Sequence, residues 1–287
     1  MLVVADGLSP SALPGSQLAW STSDTPALAH RHILTATYAG EQPNTLTQIL
    51  SLYGRRTAIF ASPGFLGADS WMRDTADHNE DTTGCLGAAI RQAAAWRRTS
   101  KGPHFVVLHD SGDPACPPVS EALGPLSGDQ VWLIGAGSEG LGRVPVAFQS
   151  PQPLAEGAVA TSLDLLPTLL IAASAAVPSD ARGLDLLTPA ERRAIFFLGG
   201  DNTLAIRTGR HLLTASATDG ALVPTSLQDL GADSPLPLDD PAAVALGAAL
   251  SAWHRGLSAT TARERLGEDA FQRILQDGGY WEAGEGD

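Results

Sequence analysis

The sequence predicts an α/β/α sandwich: a three-layer, mostly parallel sheet covered by helices on both faces, followed by a smaller C-terminal antiparallel sheet. Three observations predict it. Up to about residue 190, short apolar runs bounded by Gly, Pro or polar clusters alternate with stretches of helical periodicity, the pattern of buried parallel strands joined by crossover helices. From Glu191 onward the runs become closely spaced, as in hairpins. At 287 residues the chain is long enough to bury a substantial core.

In order, Leu2–Ala5, Thr57–Ala61, Phe105–Leu108, Val131–Ile134 and Pro145–Phe148 read as buried parallel strands. Between them, Thr45–Leu52 carries apolar residues at helical spacing, and the Ala-rich Thr83–Thr99 ends in Arg97-Arg98, cations suited to a helix C-terminus. The segment around His30 and His32 is also helical in pattern, and Thr161–Ala173 is a helix capped by Thr161 or Ser162. Beyond it, Ala194–Leu198, Leu204–Arg207 and His211–Ala215 read as strands, with Thr208-Gly-Arg210 as a hairpin-type turn. The Pro-rich stretch Pro235–Pro241 then leads into helices over Ala242–His254 and Thr260–Gln276. The implied division is residues 1–190 as the α/β unit and 191–287 as an antiparallel subdomain with helices packed on it.

A formal charge of −13 argues against a nucleic-acid backbone or an anionic membrane surface as partner, because both need clustered Lys and Arg. No run reaches the roughly 20 apolar residues of a membrane span; Leu163–Val177 is interrupted by Pro167, Thr168 and Ser174. Cys85 and Cys116 form no disulfide framework or zinc pattern and read as two partly buried thiols. As written, the chain reads as cytoplasmic. Met1 falls inside the first apparent strand, so an exported protein follows if a leader precedes it.

Several motifs recur in a particular order. Leu2-Val-Val-Ala-Asp6 opens the chain; Thr25-Pro26 precedes Ile33-Leu34-Thr35-Ala36; Asn44–Ala58 forms a helix and strand. Phe105-Val-Val-Leu-His109 is followed by Asp113-Pro114, and Val131–Ile134 runs into Gly135-Ala-Gly-Ser-Glu-Gly-Leu-Gly142. Arg143-Val-Pro145, Ser150-Pro151, Ser162–Leu170, Ala205–Arg210 and Leu227–Pro235 complete the series. This succession resembles the sulfatase family of the alkaline phosphatase superfamily, over essentially the whole chain.

The resemblance implies a metal-assisted ester hydrolase, yet the family's site residues match poorly. In the family the segment at 135–142 reads S-D-H-G-E-G-L-G, with Asp and His facing the cation; Ala136 and Gly137 stand in those places. Asp6 keeps the first metal-binding position. The acid that follows it in the family falls at Ser11, and the D-P-H histidine becomes Ala115. His109 remains in the L-H strand as a substrate-binding candidate. The Lys and His of the family's G-K-x-H are not evident in Ala61–Gly67. Aligning on Thr25-Pro26 puts Asp24 at the nucleophile position, whereas aligning on Leu34-Thr35 puts Pro26 there; Thr22, Ser23 and Thr25 each offer a hydroxyl. Thr25 and Asp24 are therefore the catalytic candidates.

Other readings of single motifs are weaker. Gly135–Gly140 also fits G-x-G-x-x-G and, around Ser138, a loose nucleophile elbow, but both need a helix to follow, and Leu141–Pro145 leads into a strand. His30 and His32 do not share a helix face and read as satisfied polar histidines. The acids Asp74, Asp77, Glu80 and Asp81 read as a solvated loop.

The functional expectation is a sulfatase-like protein with a decayed metal site, non-catalytic and serving as a binding or regulatory scaffold. No cofactor is expected. The alternative is an active sulfuric- or phosphoric-ester hydrolase with an atypical ligand set, such as Asp6, Asp24 and Glu139, holding Ca or Mg. An anionic ester is the ligand class in either case, and no protein partner is identified.

Overall fold

The computed structural model describes residues 1–38, 43–126, 130–137, 140–156, 158–189, 194–200, 202–218 and 221–266. Its elements in chain order are β1 (Leu2–Asp6), β2 (Gln17–Trp20), α1 (Pro26–Thr35), α2 (Leu46–Leu52), β3 (Arg56–Ala61), β4 (His78–Asp81), α3 (Leu86–Thr99), β5 (His104–Asp110), α4 (Val119–Ala122), β6 (Trp132–Ala136), β7 (Val146–Gln149), β8 (Ala160–Thr161) and α5 (Leu165–Ala172). They are followed by β9 (Ile195–Leu198), β10 (Thr203–Arg207), β11 (His211–Thr218), β12 (Ala221–Asp229), β13 (Ser234–Leu236) and α6 (Pro241–Leu266).

The first eight strands form one sheet in the order β4-β3-β5-β1-β6-β7-β2-β8. Strand alternation sends Leu2, Val4, Val107 and Ile134 to one face, against α1, α2 and α5, and Val3, Ala5, Val106 and Leu108 to the other, against α3 and α4. The three layers follow directly. Four of the five anticipated strands pair in parallel, but the Pro145–Phe148 run, β7, is antiparallel to both β6 and β2. The link between β6 and β7 is too short for a crossover and turns back through Gly140 and Gly142, both at positive φ.

Three strands of this first sheet were absent from the sequence reading. One is β4, in the acid run expected as a loop: charged residues sit on an exposed sheet edge, where they discourage pairing with other chains. Its acids are engaged, since Asp81 meets Arg73 at 2.7 Å and Asp77 accepts the Thr57 amide at 2.8 Å. The others are the short β2 and β8. Thr161 caps the 3-10 turn Ser162–Asp164 that leads into α5, its amide and hydroxyl both donating to Asp164 Oδ2 at 2.7 and 2.8 Å.

The second sheet is an antiparallel meander, β13-β12-β11-β10-β9. Pro224 conceals β12 in the sequence; the strand tolerates it because the register shifts opposite it, between Thr214 and Ala215. Helix α6 covers this sheet through Ala243 and Leu250. It runs unbroken from Pro241 to Leu266, so the two helices expected there are one as far as Leu266; residues 267–276 lie outside the described residues. A second cluster, Leu141, Ile195, Phe197, Ala205 and Leu212 with Trp20, joins the two sheets.

Cys85 and Cys116 are not separate thiols but a disulfide, with Cα atoms 5.3 Å apart. Chain separation hid the pairing. The Leu86 amide donates to Asp110 Oδ2 at 2.9 Å and the Ser111 amide to Gly84 O at 2.8 Å, which brings the start of α3 against the loop after β5.

Candidate functional site

Asp6 ends β1, where the parallel strands expose their C-terminal edge. In register it pairs with Ala136 on β6, and Val4 pairs with His109 on β5, so Asp6, Ala136 and His109 face the same side of the sheet, toward α1. From α1, His30 reaches the same point. Its side chain is 1% exposed, as is that of His109, while that of Asp6 is 18% exposed.

The three side chains form one hydrogen-bonded group. His30 Nε2 lies 2.6 Å from Asp6 Oδ1 and His109 Nε2 lies 3.2 Å from Asp6 Oδ2, so each carboxylate oxygen has its own imidazole. Phe65 walls them in, with its ring 4.5 Å from that of His30 and 4.7 Å from that of His109. Burial pushes the Asp6 pKa up, but the hydrogen bonds from His109 and His30 outweigh it and hold the carboxyl at about 2. Burial is also the largest influence on His30 and keeps its imidazole below the ordinary value despite Asp6.

The remaining ring nitrogens define the protonation pattern. The Leu66 amide donates to His30 Nδ1 at 3.2 Å. A backbone amide can only donate, so Nδ1 carries no proton, and the single proton of a neutral imidazole sits on Nε2, donated to Asp6. His109 Nδ1 lies 3.1 Å from Ser62 Oγ, which completes the matching arrangement when Ser62 donates and Nε2–H points at Asp6.

The donor atoms of Asp6, His30 and His109 lie within 4.8 Å of one another, the one such group of three among the described residues. A cation bound through His30 Nε2 would require the ring proton on Nδ1, where it would oppose the Leu66 N–H; metal-bound histidines instead donate from their second nitrogen. Calcium and magnesium further demand mostly oxygen ligands, and this set offers a single carboxylate. The residues present therefore fit a metal poorly.

The other predicted residues lie at the start of α1. Asp24 Oδ1 accepts from Thr25 Oγ1 at 3.2 Å and from the Gly200 amide at 3.1 Å, which ties the pair to the β9–β10 turn rather than into the Asp6 group. Gly137 is packed against this corner: a Cβ there would lie 2.9 Å from Pro26 Cγ and 3.1 Å from Asp24 O, at φ +71°. Ala136 is fully buried, whereas Ser11 lies on an exposed turn, bonded to Ser9 at 2.9 Å. Ser138 and Glu139 lie outside the described residues.

Sequence reasoning missed His30, Ser62, Phe65 and the Leu66 amide. His30 stands three and four residues before the buried Ile33 and Leu34, hence on the inward face of α1, and that spacing was the available signal. As expected, His32 points elsewhere, with Nδ1 2.8 Å from Thr22 Oγ1. The 62–66 segment, where the family carries its Lys and His, supplies a hydroxyl, an aromatic wall and an amide instead.

Solved structures share this architecture. BT4656, determined with its substrate D-glucosamine-2-N,6-O-disulfate, superposes with a TM-score of 0.62 at 12% identity, over 90% of this chain and 98% of that one. A Bacteroides thetaiotaomicron chain assigned as a sulfatase gives 0.57 at 13%, over 98% and 94%, and yidJ of Bacteroides fragilis, likewise assigned, gives 0.61 at 11%, over 90% and 96%. This is a sulfatase-like fold. No protein-family model and no curated protein matches the sequence. Within the sulfatase-like frame, an imidazole hydrogen-bonded from both ends stands beside Asp6. No helix among the described residues is long and apolar enough to cross a membrane.

Proposed function

We propose that this chain is a non-catalytic protein on a sulfatase-like fold, a binding or regulatory scaffold whose metal centre has decayed. The observation that carries this reading is the Leu66 amide on His30 Nδ1, which turns Nε2 into a proton donor and leaves Asp6 satisfied by two imidazoles. Without a cation, Asp6 and the surplus acidic charge repel an anionic ester, and among the described residues no Lys or Arg stands beside Asp6 to stabilise a leaving oxygen. Nearby guanidinium groups are engaged, Arg31 with Asp69 at 3.2 Å and Arg73 with Asp81.

The second reading, a metal-dependent sulfuric- or phosphoric-ester hydrolase with an atypical ligand set, is favoured by the convergence of Asp6, His30 and His109. Two imidazoles and a carboxylate would suit zinc better than calcium or magnesium. In that reading the metal would polarise the ester and Thr25 or Asp24 would act near it. Elemental analysis of the purified protein, paired with turnover of aryl sulfate and aryl phosphate esters in added calcium, magnesium, manganese or zinc, separates the two. We expect substoichiometric metal and background turnover. Near-stoichiometric metal with turnover lost in Asp6→Asn would establish the hydrolase.

A further inference from the structure

A cleft of about 210 Å³ opens where the two sheets meet, lined by Trp20, Val159, Ile195, Arg207, Thr208 and Gly209 among others. Arg207 ends β10, paired with Ile195 on β9 and Leu212 on β11. Its guanidinium carbon lies 3.9 Å from the centroid of the Trp20 ring, and Nη1 donates to Gly142 O at 2.9 Å. One N–H and one face of the guanidinium are thereby used. Arg31, Arg73 and Arg210 each meet a carboxylate, but among the described residues none pairs with Arg207.

What sets Arg207 apart is that it is only half exposed, packed on Trp20, and still meets no carboxylate among the described residues. Burial disfavours the charged form of Arg207, and a partly desolvated cation without a counter-charge is an unfavourable arrangement unless an anion completes it. The surrounding walls are apolar, with Ile195 buried and Val159 at the open rim. Arginine presents its remaining donors as a planar fork suited to two oxygens at once.

We propose that this cleft binds a small organic anion, its carboxylate or sulfate head on the unspent N–H groups of Arg207 and its apolar body against Ile195 and Val159 beside Trp20. The site is separate from the Asp6 group and does not depend on its state.

The test is an NMR titration of ¹⁵N-labelled full chain, following the indole N–H of Trp20, with benzoate, phenyl sulfate and the neutral benzamide as probes. Benzoate or phenyl sulfate should give a saturable shift, with the tighter probe identifying the head group, and benzamide should bind at least about tenfold more weakly. Arg207→Gln should cost the anion a similar factor. Val159→Trp, on the exposed rim, should fill the cleft and abolish the shift without removing the cation, whereas Asp6→Asn should leave it unchanged. Benzamide binding as tightly as benzoate, an undiminished shift in Val159→Trp, or no saturable shift with either anion would overturn the proposal.

Discussion

The backbone amide of Leu66 donates to Nδ1 of His30 at 3.2 Å, and the opposite nitrogen of the same ring stands 2.6 Å from Asp6. A ring pinned at both ends is committed to one tautomer. It brings a proton to the carboxylate at the C-terminal end of β1.

Placing the family's Asp and His at positions 136 and 137, at the end of β6, should not confer ester hydrolysis. In Ala136→Asp with Gly137→His, the new Cβ at 137 would meet Pro26 and the Asp24 carbonyl at about 3 Å and adopt a positive φ, so the start of α1 must shift. We expect a destabilised protein with aryl-ester turnover at background. Measurable cleavage by the double variant would show that a nucleophile had been intact throughout.

Acid should weaken the fold well above the carboxylate range. His32 is wholly buried, and burial, with a smaller contribution from Arg31, lowers its pKa from 6.5 to about 3. The folded value lies below the unfolded one, so the unfolded chain binds more protons: stability is full above about pH 6.5 and falls as pH drops toward 3. The slope approaches roughly 1.4 kcal/mol per pH unit. His30, also lowered by burial, acts in the same direction. Urea unfolding at pH 7.5, 6 and 5 should give steadily lower midpoints; identical midpoints at pH 7.5 and 5 would contradict the neutral, buried His32.

Reduction of the Cys85–Cys116 disulfide should lower unfolding stability by about 3.7 kcal/mol, since its ends are 31 residues apart in sequence. A melt with and without a strong reductant measures this, with the Cys85→Ala, Cys116→Ala protein as a control insensitive to reductant. Identical melts for the wild type would mean that the bond does not constrain the chain.

Truncation after Pro189 removes β9, whose Ile195 and Phe197 fill the joint with Leu141 and Trp20. Burial of each such side chain is worth roughly 1.5–3 kcal/mol, so losing several approaches the usual margin of about 5–15 kcal/mol. The fragment should be insoluble or molten. A soluble, cooperatively melting fragment of residues 1–189 would make the second sheet dispensable.

The central strands were legible because both their faces are buried: continuous apolar runs such as Phe105–Leu108 have few alternative readings. The antiparallel turn of β7, the polar edge strand β4 and the Pro224-bearing β12 were not, because their pairing depends on neighbours and on a bulge rather than on local pattern. At the site, Asp6 and His109 were singled out by the resemblance to the sulfatase family, as the acid closing the first strand and the histidine of the L-H strand. His30 was not, since a histidine on the inward face of a helix reads the same whether it meets a carboxylate or ordinary core. The Leu66 amide carries no side-chain signal at all, and Cys85 and Cys116 meet only through the return of β5 to the start of α3.

The most direct measurement is the ¹⁵N spectrum of the His30 ring in selectively labelled protein, recorded at pH 7.5 with and without a stoichiometric excess of zinc. A protonated Nε2 and an unprotonated, hydrogen-bonded Nδ1, both unchanged by zinc, are the result predicted here. A proton on Nδ1 with Nε2 shifted by bound metal would contradict it and return the chain to the metal-dependent hydrolases.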